Sequence, residues 1–364
     1  MTLSPIQRLL WGAIASCEGV GAGTIRRLLE QKATAEDVWY GSRELYARAG
    51  LSELLHERLH TWRLRFHLEK FEEQLVTEGI RIVVRGDEEY PIPLTTIFDP
   101  PEVLFVRGTL PPAVPSIAVV GTRAPTDYGA QVLERLLAPV VNQGVPVISG
   151  LAWGTDGNAH ALALAHKAYT CAVLGSGVDA QTIYPAHNRD LAERILEQGG
   201  GILSESPPGR KPRPESFPVR NRIIAGMVQA VVVIEAATDS GTLITATAAL
   251  EAGREVLAVP GSIWSDKSAG THQLIRCGAR LCADSRDIFD ALHLDRVETC
   301  TQAQLDLPLS GDERTLYEQL TAPQTADELT RLIDWSIGRI NQALSMLELK
   351  QLVVRLPNQA WGRS

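Results

Sequence analysis

Residues 117–123 read IAVVGTR. A short apolar run ends abruptly in Gly-Thr-Arg, and the same grammar returns along the chain. VPVI at 145–148 runs into Ser149-Gly150, CAVL at 171–174 into Gly175-Ser176-Gly177, and VLAV at 256–259 into Pro260-Gly261. Residues 202–204 lead to Glu205, and VVVI at 231–234 leads to Glu235. Between these runs lie stretches with helical character, at 129–142, 188–198 and 242–252. Near-continuous apolar strands separated by helices predict a mostly parallel sheet covered on both faces. Small and polar residues gather where the strands end, which is where open α/β sheets bind ligands.

Outward from this core the pattern changes on both sides. Residues 80–84 (IRIVV) and 103–106 (VLFV) read as short strands around a Pro-rich connection. Residues 1–79 carry helical periodicity instead. Within them Gly19-Val20-Gly21-Ala22-Gly23-Thr24 resembles the turn of a helix-hairpin-helix, whose backbone N–H groups meet a DNA phosphate without reading bases. A plain packing turn between two helices is the other reading of the same glycines. Residues 296–310 are mixed and polar and predict a linker. In 311–364, helical segments near 313–320, 326–333 and 336–349 precede a hairpin-like ending, so a winged helix is expected there. That tail holds eight Asp and Glu against six Lys and Arg from 305 to 364, which favours protein contact or regulation over DNA reading by its third helix. The expected organisation is a helical domain at 1–79, an extended Rossmann-like domain at 80–295, the linker, and the winged helix at 311–364.

The bulk numbers narrow the function. The chain has 364 residues, 45% hydrophobic and 21% charged, with a net charge of −8. A general electrostatic grip on duplex DNA is not expected from such a surface, so any nucleic-acid site must be a local basic patch. No stretch approaches the ~20 consecutive apolar residues of a membrane span, and MTLSPIQRLL lacks the features of a secretion signal. Five cysteines (Cys17, Cys171, Cys277, Cys282, Cys300) form no CxxC and fit a reduced cytosol. Cys277 and Cys282 read as buried small residues rather than a pair. No GxxxxGK[ST] occurs, and no GxGxxG follows 117–120, so neither a P-loop nor an ordinary dinucleotide fingerprint is present. The His56 and His60 pair has no third ligand, so no metal is expected. Asp156 and His160 in GTDGNAH are either an acid/base pair or a helix cap with local bonds.

One segment stands out from the acidic average. Residues 207–226 hold Arg210, Lys211, Arg213, Arg220 and Arg222 against Glu215 alone, with Phe217 among them. An aromatic interleaved with arginines suits single-stranded nucleic acid, because bases stack and phosphates pair. Pro218 suggests an extended approach, with Asn221 capping a helix that begins at the Ile223-Ile224-Ala225 run. Two guanidiniums at such a terminus make an anion site. Arg123 is placed to meet this segment over the same sheet edge. Two alternatives stay open: the arginines pair with surface carboxylates, and Phe217 belongs to the core.

Several motifs together resemble the DNA-processing protein A (DprA, or Smf) family. They are YPIPL at 90–94, PPEVLFVRG at 100–108, GTR at 121–123, SGLAWGTDGNAH at 149–160, GSGVDAQTIYP at 175–185, SESPPG at 204–209, FPVRNRIIAG at 217–226, EAATDSGTLITATAALEAGREVLAVPGS at 235–262 and GTHQLI at 270–275. The resemblance implies a cytosolic protein that binds incoming single-stranded DNA during natural transformation and loads the RecA recombinase onto it. It implies a homodimer through the Rossmann-like domain, no cofactor, and no catalytic reaction of its own. The family's DNA pocket carries over to Arg123 and to Phe217, Arg220, Asn221 and Arg222, with Arg213 added from just upstream. Gly121, Gly150 and Gly241 would let the backbone approach the ligand. A second class stays open: nucleoside-monophosphate phosphoribohydrolases share the fold, with a catalytic glutamate in PGGxGTxxE. Here Thr245 stands at that position, leaving Glu205 and Glu235 as candidate substitutes.

Overall fold

The computed structural model describes residues 3–41, 43–294, 310–320, 324–333, 335–350, 352–355 and 360–363. The expected linker at 296–310 lies outside these residues except for Ser310. The chain divides into two compact units, one up to Arg296 and one from Val297.

The first unit begins with six helices: α1 (Pro5–Ser16), α2 (Ala22–Glu30), α3 (Ala35–Trp39), α4 (Arg43–Arg48), α5 (Glu53–Arg65) and α6 (Leu68–Thr77). Helix α1 starts where Ser4 and Gln7 form a reciprocal capping box and Pro5 occupies the first turn. Gly19, at φ +92°, turns the chain between α1 and α2. Ile14, Ile25 and Leu28 are fully buried, each stabilising the fold by ~1.5–3 kcal/mol. Their core is continuous with the sheet, because the same cluster includes Ile80, Ile82, Val84 and Phe105. Residues 1–79 therefore share a core with the first strands of the sheet and are not packed independently of it.

The alternating region supplies β1 (Ile80–Val84), β2 (Val103–Gly108), β3 (Ile117–Val120), α7 (Asp127–Asn142), β4 (Val147–Ser149), α8 (Thr155–Ala165), β5 (Thr170–Leu174), α9 (Arg189–Glu197), β6 (Gly201–Ser204), α10 (Ser216–Gly226), β7 (Ala230–Val233), α11 (Gly241–Glu251), β8 (Glu255–Ala258), α12 (Asp266–Arg276), β9 (Arg280–Leu281) and α13 (Ser285–Ala291). They form one sheet in the order β1-β2-β6-β5-β4-β3-β7-β8-β9. β1 and β2 are antiparallel additions at one edge, and β6 through β9 are parallel. The strand pleat sends alternate residues to opposite faces. Ala118 and Val120 join a cluster with Ile223, Ile224 and Ala246, while Ile117 and Val119 join one with Leu133, Leu136 and Phe289. Both faces are covered, which is why the strands read as unbroken apolar runs.

The strand order turns at β3. From β3 the chain winds through β4, β5 and β6 to one side, then returns to place β7 on the other. The crevice beyond the carboxyl ends of β3 and β7 is thus the topological switch point.

The second unit contains α14 (Gly311–Gln319), β10 (Gln324–Thr325), α15 (Ala326–Ile333), α16 (Ile337–Leu349), β11 (Val353–Arg355) and β12 (Ala360–Arg363). Three helices and a three-stranded sheet close over Leu316, Leu329, Ile340, Leu344 and Leu347. This is the expected winged helix. Cys300 lies outside the described residues. Cys17, Cys171 and Cys282 are buried, but Cys277 is exposed, against expectation. It follows the last residue of α12 at a Gly-containing turn, beyond the helix face that packs on the sheet.

Candidate nucleic-acid interface

A cavity of about 650 Å³ opens at the switch point. Its floor is Val120, Gly121 and Thr122 from the end of β3. One wall is α10, through Phe217, Asn221 and Ile224, and the other is the first turn of α11, through Gly241, Thr242 and Thr245. The α11 terminus is tied down locally. Ser240 accepts from Thr242 N at 3.2 Å, and the Thr242 hydroxyl donates to Gly121 O at 3.0 Å.

Helix α10 starts at Ser216, five residues before Asn221. The expected extended approach and Asn221 cap are therefore corrected. Pro218 falls in the first helical turn, where its missing N–H would have had no intrahelical acceptor. Asn221 is an interior helical residue. Its Oδ1 accepts from Arg220 Nε at 3.1 Å, and its Nδ2 faces Gly241 O at 3.5 Å, so it ties α10 to α11.

This shift separates the two arginines. Successive helical residues point ~100° apart. Arg220 turns inward, 6% exposed, and donates to Gly150 O at 2.8 Å and to Val173 O. Burial pushes its guanidinium down to about 10, against the opposing pull of Asp156. Asp156 is itself buried and accepts from Gly150 N and Ala152 N; burial pushes its carboxyl up. Arg222 does not line the cavity. It donates to Glu205 at 2.5 Å and faces Asp99 at 3.6 Å, and Asp99 in turn pairs with Arg26 of α2. The charge of Arg222 is thus spent inside the protein.

Arg123 behaves differently. It is exposed at the cavity mouth, and among the described residues it pairs with no carboxylate. Its guanidinium carbon lies 5.9 Å from the Phe217 ring centroid, within cation–π range. The expected meeting of Arg123 with the 207–226 segment is therefore present. Phe217 is half-buried on the cavity wall, not a core residue. Arg213 lies outside the lining, with both terminal nitrogens 3.3 Å from Glu18 Oε1. Arg210 donates to Ser16 O, so the α1–α2 turn packs beside this basic loop.

The glycines divide as well. A Cβ on Gly121 would lie 2.6 Å from Thr155 Oγ1, and one on Gly150 would lie 2.6 Å from Arg220. Both are small because protein atoms fill the space. A Cβ on Gly241 would meet nothing within 4 Å, which leaves its backbone open to the cavity.

The candidate catalytic groups are otherwise engaged. Glu235 accepts from Thr126 N at 2.9 Å and from Thr126 Oγ1 at 2.6 Å, at the start of α7. Among the described residues it pairs with no arginine. Glu205 is held by Arg222. His160 is fully buried with Nδ1 2.7 Å from Thr170 Oγ1, so Asp156 and His160 are locally bonded groups and not an exposed acid/base pair. Tyr184 also lines the cavity; its place in the TIYP motif, at the end of a loop after β5, was the signal that composition alone did not raise.

Comparison with known proteins matches this geometry to one family. The model of DNA recombination-mediator protein A covers residues 81–293, and that of the DprA winged helix domain covers 301–359. The DNA processing protein DprA of Bacillus subtilis is 42% identical over 217 residues, spanning 59% of this chain and 72% of that protein. The solved structure of DNA processing protein A from Streptococcus pneumoniae superposes with a TM-score of 0.66 at 33% identity, covering 80% of this chain and 98% of that one. The Helicobacter pylori protein, solved in a study of its single-stranded DNA binding mode, gives 0.52 at 26% identity, covering 59% and 95%. With two domain models in the expected order and a structural match over most of its length, the chain belongs to the DNA recombination-mediator protein A family.

Proposed function

We propose that the switch-point cavity binds single-stranded DNA and that the protein is a cytoplasmic recombination mediator. In this reading it protects incoming DNA during natural transformation, loads RecA onto it, and works as a dimer paired through the Rossmann-like domain. The observation that carries the reading is Arg123. An arginine with no carboxylate partner among the described residues stands over an aromatic ring at the mouth of a cavity. Phosphate completes the guanidinium, and a base completes the ring. Family membership and the single-strand binding studied in the Helicobacter relative support the same ligand. Arg213 joins the phosphate path by exchanging Glu18 for DNA, whereas Arg220, Asn221, Gly121 and Gly150 hold the cavity's shape, Arg222 anchors α10 through Glu205, and Gly241 leaves room at the α11 wall.

The phosphoribohydrolase reading is weaker on these observations. Thr245 lines the cavity where that chemistry needs a carboxylate, and Glu205 and Glu235 are held by Arg222 and Thr126. We therefore assign binding without a reaction of its own.

Fluorescence anisotropy across a salt series tests this. With two or three phosphates neutralised, log affinity should fall against log salt with a slope of about −1.4 to −2. Arg123→Ala should cost roughly 1.5–3 kcal/mol of binding with the circular dichroism unchanged. Poly-dT and mixed sequence should bind alike, and duplex should bind more weakly, because stacked bases cannot reach Phe217. A salt-independent affinity, or an Arg123→Ala protein that binds like wild type, defeats the assignment. Release of a free base from nucleoside monophosphates would favour the enzyme reading.

A further inference from the structure

The aromatic surface does not stop at Phe217. The Tyr184 ring centroid lies 5.8 Å from that of Phe217, with planes 46° apart. In the loop after β4, Trp153 stacks on His187 of the loop after β5 at 4.6 Å and 12°. Trp153 is 46% and Tyr184 47% exposed, so each offers ring surface to solvent while its neighbour restrains it. Two loops carry these rings, one after β4 and one after β5, both at the carboxyl edge that holds the cavity.

Tyr184 also lines a second cavity. This one is about 380 Å³, and its wall includes Tyr184, Ala186, Arg189 and Lys211. Tyr184 is the residue common to both cavities. Trp153 follows Ala152, which lines the first, and His187 follows Ala186, which lines the second. The lining of the second cavity carries Arg189 and Lys211 together with Glu78 and Asp179, and the two carboxylates are the groups turned to protein donors. Asp179 on this wall already accepts from Thr182 Oγ1 and Gly209 N, and Glu78 accepts from Ala180 N. Arg189 gives one nitrogen to Gln181 O. Among the described residues neither Arg189 nor Lys211 forms a salt bridge. Flat rings held in place beside unpaired cations suit successive nucleotides of a flexible strand, since restraint of the rings is settled before the ligand arrives.

We propose that Tyr184 and the Trp153–His187 stack form a second base-stacking station, and that Arg189 and Lys211 take the phosphates of the nucleotides seated there. This rests on the single-strand reading of the first cavity. It extends the track from Phe217 along the loop after β5, so the site holds a run of nucleotides and not one.

The test is an abasic scan combined with a length series. Oligo-dT of three to nine nucleotides is titrated against the full chain as wild type, Trp153→Ala, Trp153→Phe, Tyr184→Ala and Phe217→Ala. Trp153→Ala should weaken the longest oligonucleotide about fivefold or more and leave the shortest binding one unchanged, whereas Tyr184→Ala, which also removes a ring from the first cavity, should weaken every length. Trp153→Phe, which keeps a flat ring, should recover most of the loss. An abasic position that weakens wild type should have no effect in Trp153→Ala. Unfolding midpoints report whether the exposed substitutions leave the fold intact; Trp153→Phe guards against a variant that does not. If wild type and Phe217→Ala differ but the Trp153 variants match wild type at every length, the second station is overturned and the first stands. If wild type binds no single strand, the first reading fails, and this one with it.

Discussion

The cavity has a wall and a mouth, and they use the same residue types in opposite ways. At the wall, Arg220 and Asp156 are buried and bonded to protein groups, and behind them Ser149 and His160 are buried too, His160 Nε2 having no hydrogen-bond partner among the described residues. At the mouth, Arg123 is exposed without an ion pair among the described residues, and outside the lining Arg213 holds an exposed partner, its side chain 58% and that of Glu18 68% accessible. An arginine bonded to carbonyls inside the fold stabilises the fold and has little left for a ligand. An arginine that keeps its water can exchange it for phosphate. Under the proposed function, stability therefore resides in the wall and ligand free energy in the mouth.

The largest test of that division is Arg220→Ala. It leaves the Gly150 and Val173 carbonyls unpaired and Asp156 buried without its countercharge, which should cost roughly 3–5 kcal/mol of stability, read as a lowered urea midpoint. Lysine should rescue little, since a point charge cannot span two carbonyls. A loss below about 1 kcal/mol would move Arg220 from the wall to the mouth.

A pH series probes the wall from another side. Burial, and then the charge of Arg220, hold the His160 imidazole down to about 3. The folded state prefers it neutral. Its contribution is thus complete above about pH 6.5, the unfolded value, and is lost as pH falls. Between pH 6.5 and 5 the loss should be about 2 kcal/mol. Asp156 works the other way, because burial raises its carboxyl and the folded state prefers it protonated. Comparing wild type with His160→Gln removes that common contribution. Equal pH dependence in the two proteins would show that His160 is not held neutral by the fold.

The smallest effect belongs to the mouth. Glu18→Ala removes an exposed partner of Arg213, so stability should change by less than ~0.5 kcal/mol. Single-strand affinity should rise about twofold at low salt, with the gain fading as salt screens it. A large destabilisation would show that the α1–α2 turn is structurally fastened through this pair.

Much of this was legible in the residues. The apolar runs placed β1 to β8 within a residue or two, because strands buried on both faces must be apolar throughout. IAVVGTR and the small residues after β4, β5 and β8 marked the edge where the cavity opens, since that is where small residues let loops turn back over the sheet. The basic loop with Phe217 marked one side of the cavity. The direction of each side chain was not legible. In RNR the two arginines share a face if the backbone is extended and diverge by ~200° if it is helical. Pro218 and Asn221 suggested the extended form, but packing of Ile223 and Ile224 on the sheet carried the helix back to Ser216.

The sequence by itself determined which elements form and which edge they leave open, because both follow from local periodicity and from the residues a turn tolerates. The tertiary structure alone decided which charges are spent. Arg220 met two carbonyls, Arg222 met Glu205 and Arg213 met Glu18, partners 17 to 195 residues away in the chain. Among the described residues Arg123 met no carboxylate, and a charge's use is fixed by what surrounds it in space and by how much water it keeps.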